Sequence, residues 1–182
     1  MMLLTKADDF LKKWASNYPD CAPIGYQFKW RMAKRWARIH SLPLGKRYPE
    51  NDDERRELLR RQNTLIDDLI GASTAIQIVT NWMEPDNHLF HSENLVDLGI
   101  ISLGEGEPEF QCYFWDDIWE TGLFDVLLAM IADEQMRAFI IGPDCLIAPY
   151  DGGVDVILQD AHTAWAFKRR YQDWLPARAD GL

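Results

Sequence analysis

The chain has 182 residues, of which 47% are hydrophobic and 26% charged, and its formal net charge is −10. This composition is that of an ordinary globular protein and excludes a disordered chain. The length fits one domain and is sufficient to bury a core without covalent cross-links. We therefore predict a single domain over residues 1–182.

The cysteines and the apolar segments bear on the cellular compartment. Cys21, Cys112 and Cys145 are odd in number, widely spaced and without a Cys-x-x-Cys pair. This pattern argues against a disulfide framework or a zinc ribbon and favours a reducing compartment. The first residues reach charged side chains too soon for a signal peptide, and no run approaches the ~18 apolar residues of a membrane span. The sequence predicts a cytoplasmic protein without a membrane segment.

Charge is distributed unevenly along the chain. Residues 84–160 contain 17 acidic residues and one basic residue, Arg137, a balance of −16. Residues 21–47 contain seven basic residues and no acidic residue; the seven are Lys29, Arg31, Lys34, Arg35, Arg38, Lys46 and Arg47. Such asymmetry is informative about partners, and the overall negative charge makes nucleic acid an unfavourable partner for the whole molecule.

Three elements are predicted in the first part of the chain. Thr5 is a suitable N-cap for a helix over residues 5–17, where apolar residues recur at helical spacing. Regular alternation over residues 35–42 predicts a strand. Asn51 and Glu54 have the spacing of a capping box at the start of a long helix that ends at Gly71, with acids in its first turn.

The remaining segments alternate less regularly between strands and helices. Strands are predicted at 73–82, near 97–103, at 110–119, at 137–142, and in a hairpin at 145–149 and 153–158, with helices at 121–134 and 160–175. Neighbouring strands joined by short turns, without strict strand–helix–strand alternation, indicate an α+β fold with a mostly antiparallel sheet and packed helices. A C-terminal β-hairpin followed by a helix completes the predicted fold.

The turn of that hairpin has the sequence Tyr150-Asp151-Gly152-Gly153. Glycine adopts positive φ without a Cβ clash, so this sequence between two apolar runs predicts a tight turn. On the second strand Asp155 points to the face opposite that of its neighbours in sequence. It is either solvated on a half-exposed strand, which is the simpler interpretation, or held near Arg137 or an arginine of the basic segment.

Three segments of the chain occur together in one known family. They are Arg47-Tyr48-Pro49 before the long helix, the hairpin residues 150–157, and Tyr171, Asp173, Trp174 and Leu175 in the last helix. From about Trp30 to Leu175 the chain resembles the bacterial family called domain of unknown function 3885. It departs from the family in having glycine where the hairpin turn carries an arginine. The resemblance implies a compact α+β fold with a terminal hairpin and helix, and it implies no activity.

The segment Trp115-Asp116-Asp117-Ile-Trp119-Glu120 combines acidic and aromatic side chains. Closely placed carboxylates can act as an acid and a base or hold a cation, but neighbouring aspartates on a strand point to opposite faces. Tryptophans beside acids are also typical of protein-binding surfaces. The simplest interpretation is that solvated acids flank tryptophans of the core; partner contact and catalysis are the alternatives.

Other candidate chemistry is weaker. His88 and His91 have the spacing of two imidazoles on one helical turn, but a metal site needs a third ligand such as Glu84 or Glu93. We treat these two histidines as weak metal candidates and predict no cofactor. No nucleophile elbow, phosphate-binding loop, dinucleotide fingerprint or zinc-protease motif is present in the sequence, and no residue is predicted to be catalytic.

The basic segment from Lys29 to Arg47 has three interpretations. Its cations can face the acidic segment of the same chain, or that of a second subunit, or, together with Phe28, Trp30 and Trp36, they can bind single-stranded nucleic acid. The first two are favoured, because the chain itself supplies so much negative charge. Exposed pairs of this type would add only about 0–1 kcal/mol each to stability.

The leading functional hypothesis is a non-enzymatic acidic protein that binds another, basic protein. A more specific version is an immunity-type inhibitor that covers the basic site of a toxin, since complementary potentials speed association. The alternatives are a metal-dependent or carboxylate-based hydrolase, and a self-associating structural module that forms a homo-oligomer. The predicted binding residues are Asp116, Asp117, Trp119, Glu120, Tyr150, Asp151 and Asp155.

Overall fold

The structure is a computed structural model that describes residues 5–83 and 94–177. The helices are α1 (Lys6–Asn17), α2 (Phe28–Arg31), α3 (Asp52–Ile70), α4 (Asp125–Ala132) and α5 (Ala161–Arg170). The strands are β1 (Trp36–His40), β2 (Thr74–Met83), β3 (Val96–Ser102), β4 (Glu109–Trp119), β5 (Met136–Ile141), β6 (Leu146–Tyr150) and β7 (Gly153–Ile157). The predicted last helix is shorter than expected, because α5 ends at Arg170 and a 3₁₀ turn over 172–174 follows it.

The seven strands form one sheet in the order β1-β7-β6-β5-β2-β4-β3. Every strand pair in the described part of the chain is antiparallel. The predicted α+β fold with a mostly antiparallel sheet is therefore confirmed, as are the C-terminal hairpin and the helix after it. The first strand in sequence, β1, pairs with the last, β7, so the basic segment lies beside the hairpin.

Helices cover both faces of the sheet. On one face α3, α4 and α5 bury a core that includes Ile66, Leu128 and Phe167. On the other face α1 and α2 bury a second, more aromatic core that includes Trp14 and Phe28. The period-2 alternation of the strands supplies apolar side chains to both cores, which is why so much of the chain is hydrophobic.

Helix α3 begins at a side-chain cap. The Asn51 Oδ1 accepts a hydrogen bond of 3.0 Å from the Glu54 backbone N–H, as predicted. The reciprocal half of a capping box is absent from the described contacts, because the Glu54 carboxylate accepts from the Glu50 backbone N–H and from Lys46 instead. The first turn is therefore tied to the preceding loop, which carries Lys46 and Arg47 toward the hairpin.

Farther along α3, Glu57 should make stability depend on pH. Hydrogen bonds from Arg60, and then from Arg61, lower the pKa of Glu57 to about 2 from its ordinary value of 4.5. This contribution is present above pH 4.5 and is lost as the pH falls toward 2. We expect Glu57→Gln to lower the free energy of unfolding by roughly 1–2 kcal/mol at pH 6, since solvent screens part of the interaction. Urea unfolding between pH 2 and 6 would show the two proteins converging in acid; a constant difference would contradict the assignment.

The predicted hairpin forms, with Tyr150 opposite Gly153, but the reason expected for its glycines is wrong. Neither Gly152 nor Gly153 adopts a positive φ. Gly153 is instead required by a close approach, because a Cβ built on it would lie 2.1 Å from the carbonyl oxygen of Ile39 on β1. The second glycine thus allows β1 and β7 to pair at the point where the chain leaves the turn.

Two further features concern reactivity and membranes. Cys21, Cys112 and Cys145 are all buried free thiols, and burial raises the pKa of each, to about 11 for Cys21 and about 12 for the other two. They remain protonated and unreactive at neutral pH. Among the helices of residues 5–83 and 94–177, none has both the length and the apolar character that crossing a bilayer requires.

Candidate functional site

The hairpin places Asp155 against an arginine of the basic segment. Arg38 on β1 lies opposite Asp155 on β7 in the strand register. Its Nε donates to Oδ1 at 2.6 Å and its Nη2 donates to Oδ2 at 2.7 Å. Both residues are buried, with Arg38 9% and Asp155 5% exposed. The interpretation of Asp155 as a solvated side chain is therefore wrong, and the alternative of a carboxylate held by an arginine is correct.

Two aromatic rings restrict the position of the Arg38 guanidinium. The Arg38 guanidinium carbon lies 4.6 Å from the centroid of the Tyr150 ring and 5.5 Å from that of Trp36. Tyr150 and Asp155 lie on adjacent strands of the hairpin and face the same side of the sheet. A cation held by two carboxylate oxygens and faced by two rings has little rotational freedom, so Arg38 is preorganised.

Asp151, the acid in the hairpin turn, is paired with a different arginine. Arg47, in the loop before α3, donates from Nε to the Asp151 carboxylate, and the Tyr48 hydroxyl donates to the same carboxylate at 2.9 Å. Tyr48 also lies 3.1 Å from the carboxylate of Glu134, which follows α4. The hydrogen bond to Asp151 raises the pKa of Tyr48 to about 12, so its hydroxyl is a donor at neutral pH. The loop is thereby fastened across the hairpin turn.

We call this arrangement of Arg38, Arg47, Tyr48, Tyr150, Asp151 and Asp155 the hairpin cluster. It unites the two segments that carry most of the family resemblance, residues 47–49 and 150–157, although about a hundred positions separate them in sequence. Tyr150, Asp151 and Asp155 were predicted as binding residues, whereas the two arginines were not assigned to a site. The absence of acids from residues 21–47 indicates that these arginines pair with carboxylates elsewhere. It does not indicate which carboxylate each arginine binds.

A cleft of about 380 Å³ opens beside the hairpin cluster, on the sheet face that α1 and α2 cover. Its floor consists of side chains from several strands, among them Arg38, Tyr150 and Asp155. Tyr26 and Lys29, from the 3₁₀ turn over 25–27 and from α2, form one wall. We call this cavity the sheet cleft. Its volume lies within the range of small-molecule sites, which is roughly 300–1,000 Å³.

The acids of the Trp115–Glu120 segment are not gathered at this cleft. Asp116 is exposed and accepts a hydrogen bond from Gln77 at 2.8 Å, on the sheet face of α1 and α2. Asp117 points to the opposite face, as its position on β4 predicts, and accepts from the next backbone N–H at 2.8 Å. Glu120 accepts from Ser73 at 2.7 Å. These carboxylates therefore do not form an acid–base pair.

Trp119 is a core residue. It is fully buried and stacks on Phe124 with a centroid separation of 5.3 Å. Its indole N–H donates to Asp67 on α3 at 2.6 Å, and Thr121 donates to the same carboxylate. Because no part of the ring is accessible, Trp119 cannot contact a partner in this conformation, which corrects its inclusion among the binding residues.

A second surface is acidic and lies at the opposite end of the sheet. Asp97 on β3, Glu105 and Glu107 in the loop between β3 and β4, and Glu109 at the start of β4 are all exposed. None of these four carboxylates forms an ion pair with another residue in the described ranges. We call them the acidic edge, because β3 is the terminal strand of the sheet. Ile100, in the middle of β3, is 67% exposed.

The cations of the basic segment fall into a paired group and a group without ion pairs in the described chain. Arg38, Lys46 and Arg47 are paired with Asp155, Glu54 and Asp151 respectively. Its first four cations form no ion pair with any residue of the described chain; they are Lys29, Arg31, Lys34 and Arg35. We call these four the basic end. The segment is thus neutralised internally in its second half only.

The chemistry of a metal site is not assembled in the part of the chain that the structure describes. His88 and His91 lie outside the described residues, so the structure leaves their prediction as it was. Within residues 5–83 and 94–177, no three His, Cys, Asp or Glu side chains gather as a metal ion would require. The three carboxylates that line the sheet cleft, Glu134, Asp151 and Asp155, are each engaged by an arginine.

Comparison with known proteins identifies a family for the chain and assigns it no chemistry. No curated protein and no solved structure matches the chain. A family model matches residues 24–179, which include every residue of the hairpin cluster and of the lining of the sheet cleft. The chain therefore belongs to the family described as a domain of unknown function (DUF3885).

Proposed function

We propose that this protein is a non-enzymatic, acidic protein-binding module whose partner is a basic protein. The observation that carries the proposal is the acidic edge. Its four carboxylates are exposed and have no cationic partner in the described chain, whereas Asp151 and Asp155 are neutralised by Arg47 and Arg38. We therefore propose the β3 end of the sheet as the binding surface, in place of the Trp115–Glu120 segment and the hairpin, from which the sequence analysis took its binding residues.

The acidic edge suits a basic partner for two reasons. Carboxylates without a counter-charge create a negative potential that attracts a complementary surface and speeds its association. Ile100 adds an exposed apolar side chain between Asp97 and the acidic loop, and burial of such a group would contribute about 1.5–3 kcal/mol to a complex. An apolar contact surrounded by charges is the usual composition of a binding surface.

A more specific form of the proposal is an immunity-type inhibitor of the bacterial cytoplasm. A toxin that acts on nucleic acid has a basic site, and an acidic edge on a rigid sheet can cover such a site as a substitute for phosphates. A neighbouring gene that encodes a basic toxin would support this form. The hydrolase alternative is less well supported, because Asp116, Asp117 and Glu120 lie apart from Asp151 and Asp155.

The test is capture of a partner by variants of the acidic edge. We expect the protein to retain a basic partner from a lysate of its source cells at about 0.05 M salt and to release it at about 0.5 M, where the screening length is much shorter. The triple variant Glu105→Gln, Glu107→Gln, Glu109→Gln should lose the partner at both salt concentrations. All three side chains are exposed, so their replacement should leave the fold intact.

The matched control removes three exposed acids elsewhere, in Asp20→Asn, Asp144→Asn, Asp173→Asn. It changes the net charge equally and should retain the partner. Equal loss in both variants would show a general charge effect, and no salt-sensitive partner in either protein would refute the proposal. If the retained protein is a second copy of this chain, measured as a salt-dependent dimer by light scattering, self-association through the basic end is the correct alternative.

A further inference from the structure

We propose that the sheet cleft is a binding site for a small organic anion, with a carboxylate or phosphate group attached to an apolar body. This site is separate from the acidic edge, and the proposal does not depend on the proposed partner. Four basic side chains line the cleft in a protein with a net charge of −10; they are Lys29, Arg38, Arg47 and Arg137. Three acids also line it, and each is paired with an arginine: Asp155 with Arg38, and both Asp151 and Glu134 with Arg47.

The floor of the cleft contains a buried ion pair, which is an energetically costly way to fill the interior of a protein. Arg38 and Asp155 are 9% and 5% exposed, and removing two charges from water carries a desolvation cost of several kcal/mol per ion. Apolar residues of similar volume would often give an equal or more stable fold. The pair lies at a cleft and is held rigidly by Tyr150, which is the preorganisation that recognition of a ligand requires.

Tyr150 supplies a hydrogen-bonding group for such a ligand. Its ring faces Arg38, and within residues 5–83 and 94–177 no group is hydrogen-bonded to its hydroxyl. Burial raises the pKa of Tyr150 above its usual range, so the hydroxyl keeps its proton at neutral pH and is a donor. A donor that has no partner in the described chain, on a side chain that lines the cleft, is suited to an acceptor oxygen of a ligand.

The mouth of the cleft adjoins the basic end. Lys29 belongs to both, because it lines the cleft and precedes Trp30 and Arg31 on the same short helix. The four cations of the basic end have no ion pair in the described chain, so their potential is not cancelled locally. Positive potential at the entrance of a low-dielectric cleft raises the local concentration of anions, even in a protein that is acidic overall.

The apolar residues that line the cleft determine the uncharged part of the ligand. Phe139, Met136, Ile131 and Pro149 contribute apolar surface, and Tyr26 adds an aromatic ring at the wall. A ligand made only of charge would leave this surface in contact with water, whereas a ring or short apolar chain would bury it. The combination predicts an amphiphilic small molecule in preference to a bare inorganic ion.

The experiment uses the full chain and three probes that share a six-membered ring. Phenyl phosphate and benzoate carry the two anionic groups, and benzyl alcohol is the uncharged control. We expect isothermal titration calorimetry to show one anion binding at least about tenfold more tightly than benzyl alcohol, as charge-assisted hydrogen bonds imply. The comparison of the two anions identifies which group the site prefers. Amide chemical shifts in NMR spectra should change around Arg38, Tyr150 and Lys29.

Variants assign the binding to this cleft. Tyr150→Phe removes only the hydroxyl, and Lys29→Gln removes only the charge at the wall; each should weaken binding by about threefold to tenfold. Lys34→Gln removes the same charge from the basic end at a position that does not line the cleft, and it should weaken binding clearly less than Lys29→Gln does, because it lowers only the potential at the entrance. Circular dichroism should show all three variants folded.

Two results would overturn the proposal. The first is that neither anion binds more tightly than benzyl alcohol. The second is that Lys29→Gln and Lys34→Gln weaken binding equally, which would mean attraction to a general basic surface and no site. Neither result bears on the acidic edge, since the capture experiment uses other residues on the other end of the sheet.

Discussion

Gly153→Ala should lower the free energy of unfolding by about 3 kcal/mol or more, the upper part of the range for inserted atoms in a packed structure. A Cβ at this position would lie 2.1 Å from the Ile39 carbonyl oxygen and 3.0 Å from the Tyr150 hydroxyl. The first of these atoms belongs to the backbone of β1, so a rotamer change cannot relieve the contact. Strands β1 and β7 would have to separate, which also disturbs the register that brings Arg38 to Asp155.

Urea unfolding followed by tryptophan fluorescence measures this effect. Gly25→Ala is the matched control, because its Cβ would lie 3.4 Å from the Ala148 side chain, an ordinary contact, and its φ is not positive. We expect that control to change stability by about 0.5 kcal/mol or less. If Gly153→Ala is equally mild, the close approach of β1 and β7 does not constrain this position.

Most of the elements were predictable because their signals are local. The caps at Thr5, Asn51 and Asp160 each accept a backbone hydrogen bond at the start of a helix, and the alternation of 73–82 and 110–119 corresponds to β2 and β4. The order of strands was not predictable in this way. That β1 pairs with β7 depends on contacts between residues more than a hundred positions apart, and no local pattern encodes them.

At the candidate site, too, local features were predictable from the sequence and tertiary contacts were not. Alternation correctly placed Asp155 on the face opposite Val154 and Val156, and correctly separated Asp116 from Asp117. Whether Asp155 is solvated or paired depends on which strand lies beside β7, and that strand carries Arg38. Trp119 is likewise buried by elements distant in sequence, since α3 packs in the same core and its Asp67 accepts the indole N–H. The alternation in a sequence predicts the sheet face on which a side chain lies. Whether that side chain is solvated, paired or buried depends on the element that packs beside it.

Loss of one partner from the Arg38–Asp155 pair should be the most destabilising change at the site. Asp155→Asn or Arg38→Met should lower the free energy of unfolding by about 3–5 kcal/mol, because each leaves an uncompensated buried charge or donor. Exposed pairs behave differently: Asp53 and Arg56, with side chains 89% and 72% exposed, should contribute only about 0–1 kcal/mol. Asp53→Asn is therefore the matched control for Asp155→Asn.

The double variant Arg38→Met, Asp155→Leu separates stability from binding. Both charges are removed together, so no unpaired group remains, and we expect its stability to return to within about 1 kcal/mol of the original protein. A double-mutant cycle from urea unfolding, with Arg38→Met and Asp155→Leu as its single variants, gives the coupling energy. Destabilisation equal to the sum of the single effects would mean that the ion pair is not coupled, and that packing around each side chain dominates. If the double variant is stable but no longer binds an organic anion, the buried pair is maintained for recognition, since the fold alone can be achieved without it.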